Sequence, residues 1–132
     1  MTALFADTYY FLALINDQDA GHPAAIRYDA AQISLLTTTW VLTEVGDALS
    51  APENRPVFLR LLDLLRESPD VRIVPPSGEL FERGVDLFRQ RADKSWSLTD
   101  CISFVVMNDE EISYALTGDH HFEQAGFRVL LK

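Results

Sequence analysis

The sequence predicts an α/β fold, a parallel sheet with helices on both faces. Short apolar or β-branched runs alternate with segments of helical periodicity along the whole chain. Capping and turn residues punctuate the junctions between them. At 132 residues the chain is long enough for one domain with a real core and too short for two. It shows no internal repeat, low-complexity tract or linker, so a single domain over residues 1–132 is expected.

Each element has its own signal. Leu4-Phe5-Ala6 is a short apolar run, read as a buried strand, and Asp7-Thr8 opens an apolar helix from Tyr9 to Ile15. The segment from Asn16 to Gly21 breaks it, and Pro23 to about Gln32 reads as a second helix. Ile33 to Thr38 is rich in β-branched residues and forms the second strand. A helix from Trp40 to Leu49 ends at Ser-Ala-Pro, and another runs from Pro56 to Arg66 with its proline in the first turn. Val71 to Val74 is the third strand, closed by Pro75-Pro76. Ser77 caps a helix on which Leu80, Phe81, Gly84, Val85 and Phe88 recur at helical spacing. Ser97 caps the next, which runs to about Asn108. Ile112 to Thr117 is the fourth strand. Gly118-Asp119 turns into a short helix stopped by Gly126, and Phe127 to Leu131 is the fifth strand.

Four acids, Asp7, Glu44, Asp100 and Asp119, sit where a strand gives way to a helix or about a turn into that helix. In an open parallel sheet these junctions gather at the carboxyl edge of the strands, where such folds place their sites. Taken singly, Asp7 and Asp119 also read as helix N-caps, and Ser97-Leu98-Thr99-Asp100 as a capping box. Glu44 lies inside its helix on the flank of a core stripe of Val41, Val45 and Ala48, so capping does not explain it. Asp47 points further toward solvent. Capping does not call for four acids at one sheet edge, whereas a phosphodiesterase does, because clustered carboxylates hold Mg²⁺ or Mn²⁺. Asp93 is a fifth acid nearby in sequence, read as a loop residue or a supporting one. His120-His121 with His22 has no metal-ligand spacing and reads as surface or phosphate-proximal.

Other chemistries find little support. There is no glycine-rich phosphate loop and no Gly-x-Ser-x-Gly elbow. The single cysteine, Cys101, cannot form an internal disulfide and reads as a buried core thiol. No apolar run reaches a membrane span, and the start, Met-Thr-Ala-Leu-Phe-Ala-Asp, lacks a signal peptide pattern, so a cytoplasmic protein is expected. A net charge of −9 disfavours bulk electrostatic binding of nucleic acid, which leaves local contacts. Arg83, Arg89, Arg91 and Lys94 are the local basic candidates, with a solvated helix face as the alternative.

Asp7-Thr8, Thr43-Glu44, Trp96-Ser97-Leu98-Thr99-Asp100 and Leu116-Thr117-Gly118-Asp119-His120-His121-Phe122 form a recognisable set. Together they resemble the PIN-domain ribonucleases, and within them the VapC-type toxins of bacterial toxin–antitoxin pairs. The resemblance spans essentially the whole chain. It implies a PIN-like three-layer α/β/α domain whose five-stranded parallel sheet has the order 3-2-1-4-5. It also implies Asp7, Glu44, Asp100 and Asp119 as catalytic metal ligands around Mg²⁺ or Mn²⁺, with Thr8 and Ser97 or Thr99 as supporting polar residues. The implied function is a metal-dependent endoribonuclease, the toxin of a type II toxin–antitoxin pair, with RNA as substrate, a small antitoxin as partner and a homodimer as its assembly. The alternative from a different class is a non-catalytic PIN-like module that binds RNA or a protein. The helix from Pro56 carries two apolar stripes, Phe58-Leu61-Leu62-Leu65 and Val57-Leu61-Leu64. One stripe suffices for docking on the core, which offers Val57 and Leu64 to a partner; burial of both within the monomer is the alternative.

Overall fold

In the computed structural model, which describes residues 3–132, five short strands form one parallel sheet in the order β3-β2-β1-β4-β5. Met1 and Thr2, the first residues of the amino-terminal segment read above, lie outside the described residues. The chain runs β1 (Leu4–Ala6), α1 (Thr8–Ile15), α2 (His22–Ala30), β2 (Leu35–Thr38), α3 (Thr39–Ala48), α4 (Arg55–Glu67) and β3 (Val71–Val74). It continues with α5 (Gly78–Gln90), α6 (Leu98–Asp109), β4 (Tyr114–Leu116), α7 (His120–Gln124) and β5 (Arg128–Val129). Every expected element is present, and the strand order is the one the family resemblance implies.

Successive side chains on a strand point to opposite faces of the sheet. Phe5 and Ala6 are both fully buried, as are the neighbouring Ala115 and Leu116, so helices cover both faces at the sheet centre. The parallel register places Phe5 beside Leu36 on one side and Ala115 on the other. From α6, Cys101, Ile102, Phe104, Val106 and Met107 are buried, which makes it the most enclosed helix. Gly84 lets α5 lie close against it, because a Cβ there would stand 2.3 Å from Cγ1 of Ile102. An aromatic cluster anchors the carboxyl-terminal part. Phe104 meets Trp96, Phe122 and Phe127 at centroid distances of 5.0, 4.9 and 5.6 Å.

The structure shortens three strands, each for a local reason. β2 begins at Leu35 rather than Ile33, because the chain leaves α2 through Gln32 in a left-handed conformation (φ 53°). β4 begins at Tyr114 rather than Ile112. Glu111 is left-handed (φ 56°) and the Ile112 N–H returns to the Met107 carbonyl at 2.9 Å, closing α6 with a Schellman-type turn. At the other end of β4, Thr117 turns to serve the acids described below. β5 keeps only Arg128–Val129 of the expected Phe127–Leu131, since Phe127 donates to the Phe122 carbonyl at 3.0 Å across the turn at Gly126 (φ 95°). Ala48, placed on the buried stripe of α3, is exposed at its last residue, and Leu49 packs on the core instead.

Candidate metal centre

The order β2-β1-β4 sets the carboxyl ends of three strands side by side. The chain proceeds from β1 toward β2 and β3 on one side and later returns to β4 on the other, so the crevice above β1 and β4 is the topological switch point of the sheet. Ala6 pairs with Leu116, and Asp7 and Thr117 therefore emerge as neighbours. Thr37 ties the end of β2 to the same edge by donating to the Ala6 carbonyl at 2.8 Å.

Asp7 occupies the N-cap position of α1, but its side chain does not cap the helix. Its Oδ2 instead accepts from the Thr117 hydroxyl at 2.9 Å, and the residue is only 5% exposed. Burial pushes its pKa up to about 7, and the charges of Asp100 and Glu44 push the same way; the Thr117 hydroxyl and the Thr8 backbone N–H pull it down. Those two acids are thus close enough to Asp7 to be felt.

Glu44 leans from α3, a helix whose start is fixed by the Thr38 side chain accepting from the Val41 N–H at 3.1 Å. Its Oε1 accepts from the Thr8 hydroxyl at 2.6 Å, which aims it at the residue following Asp7. Asp100 completes a capping box with Ser97 and is 8% exposed. Burial raises its pKa and the Asp119 charge adds to the rise, while the Ser97 N–H and His121 oppose it. Asp119 caps α7 by accepting from the His121 N–H at 2.9 Å. Its own N–H donates to the Thr117 oxygen at 3.1 Å.

Thr117 and His121 thus link Asp7, Asp119 and Asp100, and the charge of Glu44 is felt at Asp7, so the four expected acids gather at one edge of the sheet. Capping is real at Asp100 and Asp119, absent at Asp7, and irrelevant at Glu44. Among the described residues no lysine or arginine pairs with any of the four.

Thr117 and His121 are the members that sequence reasoning missed. Thr117 is fully buried, donates to Asp7 and accepts from Asp119, so one hydroxyl sets the spacing of two acids. His121 faces inward, with Nδ1 at 3.0 Å from Oδ2 of Asp100 and 3.5 Å from Oδ1 of Asp119. Donor atoms of Asp119, His120 and His121 lie within 4.8 Å of one another, a grouping that the spacing of the three histidines does not announce. His22 is elsewhere, bonded to the Ala13 carbonyl at 2.8 Å. The available signal was Phe122: a fully buried anchor leaves its neighbour His121 little freedom.

The remaining candidates are surface features. Asp93 is engaged with Arg91 at 3.0 Å and with Lys94 at 3.9 Å, and the Arg91 guanidinium holds its pKa below the usual carboxylate range. Arg83 forks onto Asp109 at 2.6 and 2.8 Å, Arg89 pairs with Asp86 at 3.2 Å, and Arg91 also stacks over Trp96. The basic run is thus largely neutralised by its own neighbours, in line with the solvated-face alternative. Cys101 is buried, with its thiol pushed up to about 11 by burial and by Asp100. No helix among the described residues is long and apolar enough to cross a membrane.

A donor set made of carboxylate oxygens suits a hard divalent cation. Burial is the main cause of the raised pKa of Asp7; a cation beside Asp7, Glu44 and Asp100 would offset the smaller repulsion that Asp100 and Glu44 add to it. The residues present fit a divalent cation of this kind.

Comparison with known proteins agrees with the fold. The 23S rRNA-specific endonuclease VapC20 of Mycobacterium tuberculosis is 29% identical over 125 residues, covering 94% of this chain and 95% of the relative. The crystal structure of that protein, described as a Sarcin-Ricin loop cleaving toxin, superposes with a TM-score of 0.84 at 28% identity, covering 94% and 95% of the two chains. VapBC2 from Rickettsia felis, solved bound to a DNA fragment from its promoter, shares the fold with a TM-score of 0.69 at 13% identity over 97% of each chain. FitAcB from Neisseria gonorrhoeae does so with a TM-score of 0.66 at 14% identity over 96% of each. The PIN domain family matches residues 4–128, from the first residue of β1 to the first of β5, and the chain belongs to that family.

Proposed function

We propose that the protein is a divalent-metal-dependent endoribonuclease, the toxin of a toxin–antitoxin pair, with Asp7, Glu44, Asp100 and Asp119 as its metal-binding and catalytic residues. The observation that carries the proposal is the carboxylate cluster at the switch point, in which Asp7 and Asp100 are buried and, among the described residues, no lysine or arginine pairs with any of the four acids. Asp7, Glu44 and Asp100 are the principal ligands, and Asp119 completes the shell. A divalent ion bound there supplies Lewis-acid polarisation of a phosphodiester and activation of the attacking water.

The protein supplies positioning. Thr117 sets Asp7 against Asp119, Thr8 fixes the carboxylate of Glu44, and the Ser97 capping box fixes Asp100. Such prior fixation means that little reorganisation is left for the reaction itself. Similarity to an rRNA-specific endonuclease over nearly the full length favours a structured ribosomal RNA as substrate. The acidic surface adds selectivity, because general attraction to phosphate is weak and the substrate must fit locally. The test is cleavage of a ribosomal RNA stem-loop by purified protein. Cleavage in millimolar Mn²⁺ that stops on chelation is expected; a folded protein that binds no Mn²⁺ and cuts no RNA would instead be a binding module.

The same proposal includes self-association or antitoxin binding through α4. Leu61 and Leu65 are buried, whereas Val57 and Leu64 are 41% and 56% exposed. Both exposed residues line a groove with Tyr10, Phe11, Leu14 and Tyr28. A solvent-facing apolar stripe beside an apolar groove is a partner surface in the making. Val57→Asp with Leu64→Asp is expected to abolish dimerisation or antitoxin binding, read by light scattering, with an unchanged circular dichroism spectrum. Unfolding of this double variant, with a monomeric wild type, would assign both stripes to the core.

A further inference from the structure

The two oxygens of Asp100 have unequal partners. Oδ2 accepts both the Ser97 backbone N–H at 3.1 Å and Nδ1 of His121 at 3.0 Å. Among the described residues no hydrogen bond reaches Oδ1. An ionised carboxylate only accepts, so Nδ1 of His121 is the donor toward Asp100. His121 is held from several directions. Its backbone N–H bonds to Asp119, and its ring is mostly buried. The next residue, Phe122, is locked between Phe5 and Phe104.

We propose, resting on the metal reading above, that His121 is a positioning residue for the metal centre. Its Nδ1–H and the Ser97 N–H occupy Oδ2 of Asp100, which reserves Oδ1 for the ion and stops the carboxylate from rotating. The first turn of α7 thereby couples two ligands: the backbone of His121 orients Asp119, and its ring orients Asp100. Donors of this kind behind a ligand change metal affinity by about 10–100-fold when removed. The competing role is direct ligation through Nε2 beside Asp119 and His120.

Side-chain geometry separates the two. An asparagine amide places an N–H near where Nδ1 lies, whereas a glutamine amide reaches the position of Nε2. Mn²⁺ titration calorimetry on the full chain therefore compares wild type with His121→Ala, His121→Asn and His121→Gln, each checked for a cooperative melt. Ala and Gln are expected to weaken Mn²⁺ binding by about 10–100-fold, and Asn to restore most of it. Wild-type affinity in His121→Ala, or rescue by Gln and not by Asn, would overturn the positioning role. If His121→Ala fails to fold, the Asn and Gln pair decides. A wild-type protein that binds no Mn²⁺ overturns the metal reading and this inference together, whereas wild-type binding with unaffected variants overturns the inference alone.

Discussion

Asp7→Asn is expected to abolish metal-dependent RNA cleavage while leaving the fold intact. Asn has almost the shape of Asp, and its Oδ1 can still accept from the Thr117 hydroxyl that bonds to Asp7. What disappears is the charge, and with it an anionic oxygen for the cation. Metal stabilisation of transition-state charge amounts to several kcal/mol, so losing it corresponds to a drop on the order of 10³-fold or more. The measurement is the initial rate of stem-loop cleavage in Mn²⁺, alongside a thermal melt of the variant. Undiminished cleavage by folded Asp7→Asn protein would remove Asp7 from the centre.

The second large effect is on stability, and it runs opposite to the first. Burial pushes the pKa of Asp7 in the folded protein up to about 7, from the 3.8 usual for an aspartate, so the native state binds its proton more tightly than the unfolded chain does. The resulting stabilisation is fully present below about pH 4 and is lost as the pH rises through 7. A shift of this size corresponds to roughly 4 kcal/mol. In chelator at pH 8, Asp7→Asn is therefore expected to melt above wild type by about 10 °C or more, and the gap should close as the pH falls toward 4. Millimolar Mn²⁺ should raise the wild type selectively, because it binds only the folded state with its carboxylates ionised. Equal melting temperatures for the two proteins at pH 8, with and without Mn²⁺, would mean that burial at Asp7 carries no such cost.

The architecture was legible in the sequence because its signals are local. Ser77 and Ser97 cap the helices expected of them, Gly126 stops α7, and the short apolar runs are strands. The positions of the four acids followed from strand-to-helix junctions, and the sheet order from the family resemblance. What the sequence hid depends on contacts between distant segments. Thr117 finds Asp7 across 110 positions and His121 finds Asp100 across 21, and neither pairing leaves a periodic trace. The basic stretch from Arg83 to Lys94 reads equally as a phosphate contact or a solvated face, and the pairing of its arginines with Asp86, Asp93 and Asp109 favours the second. Ala48 failed for another reason: helical periodicity assigns a face, and the last residue of α3 has run out of core.

The most direct measurement is the position of Mn²⁺ in crystals of the wild-type protein, located by anomalous scattering. A peak about 2.0–2.6 Å from carboxylate oxygens of Asp7 and Asp100, with Glu44 and Asp119 bound to it directly or through water, is the expected result. An ion held only by Asp119, His120 and His121, with Asp7 untouched, would contradict the assignment, as would no ion at the switch point in saturating Mn²⁺.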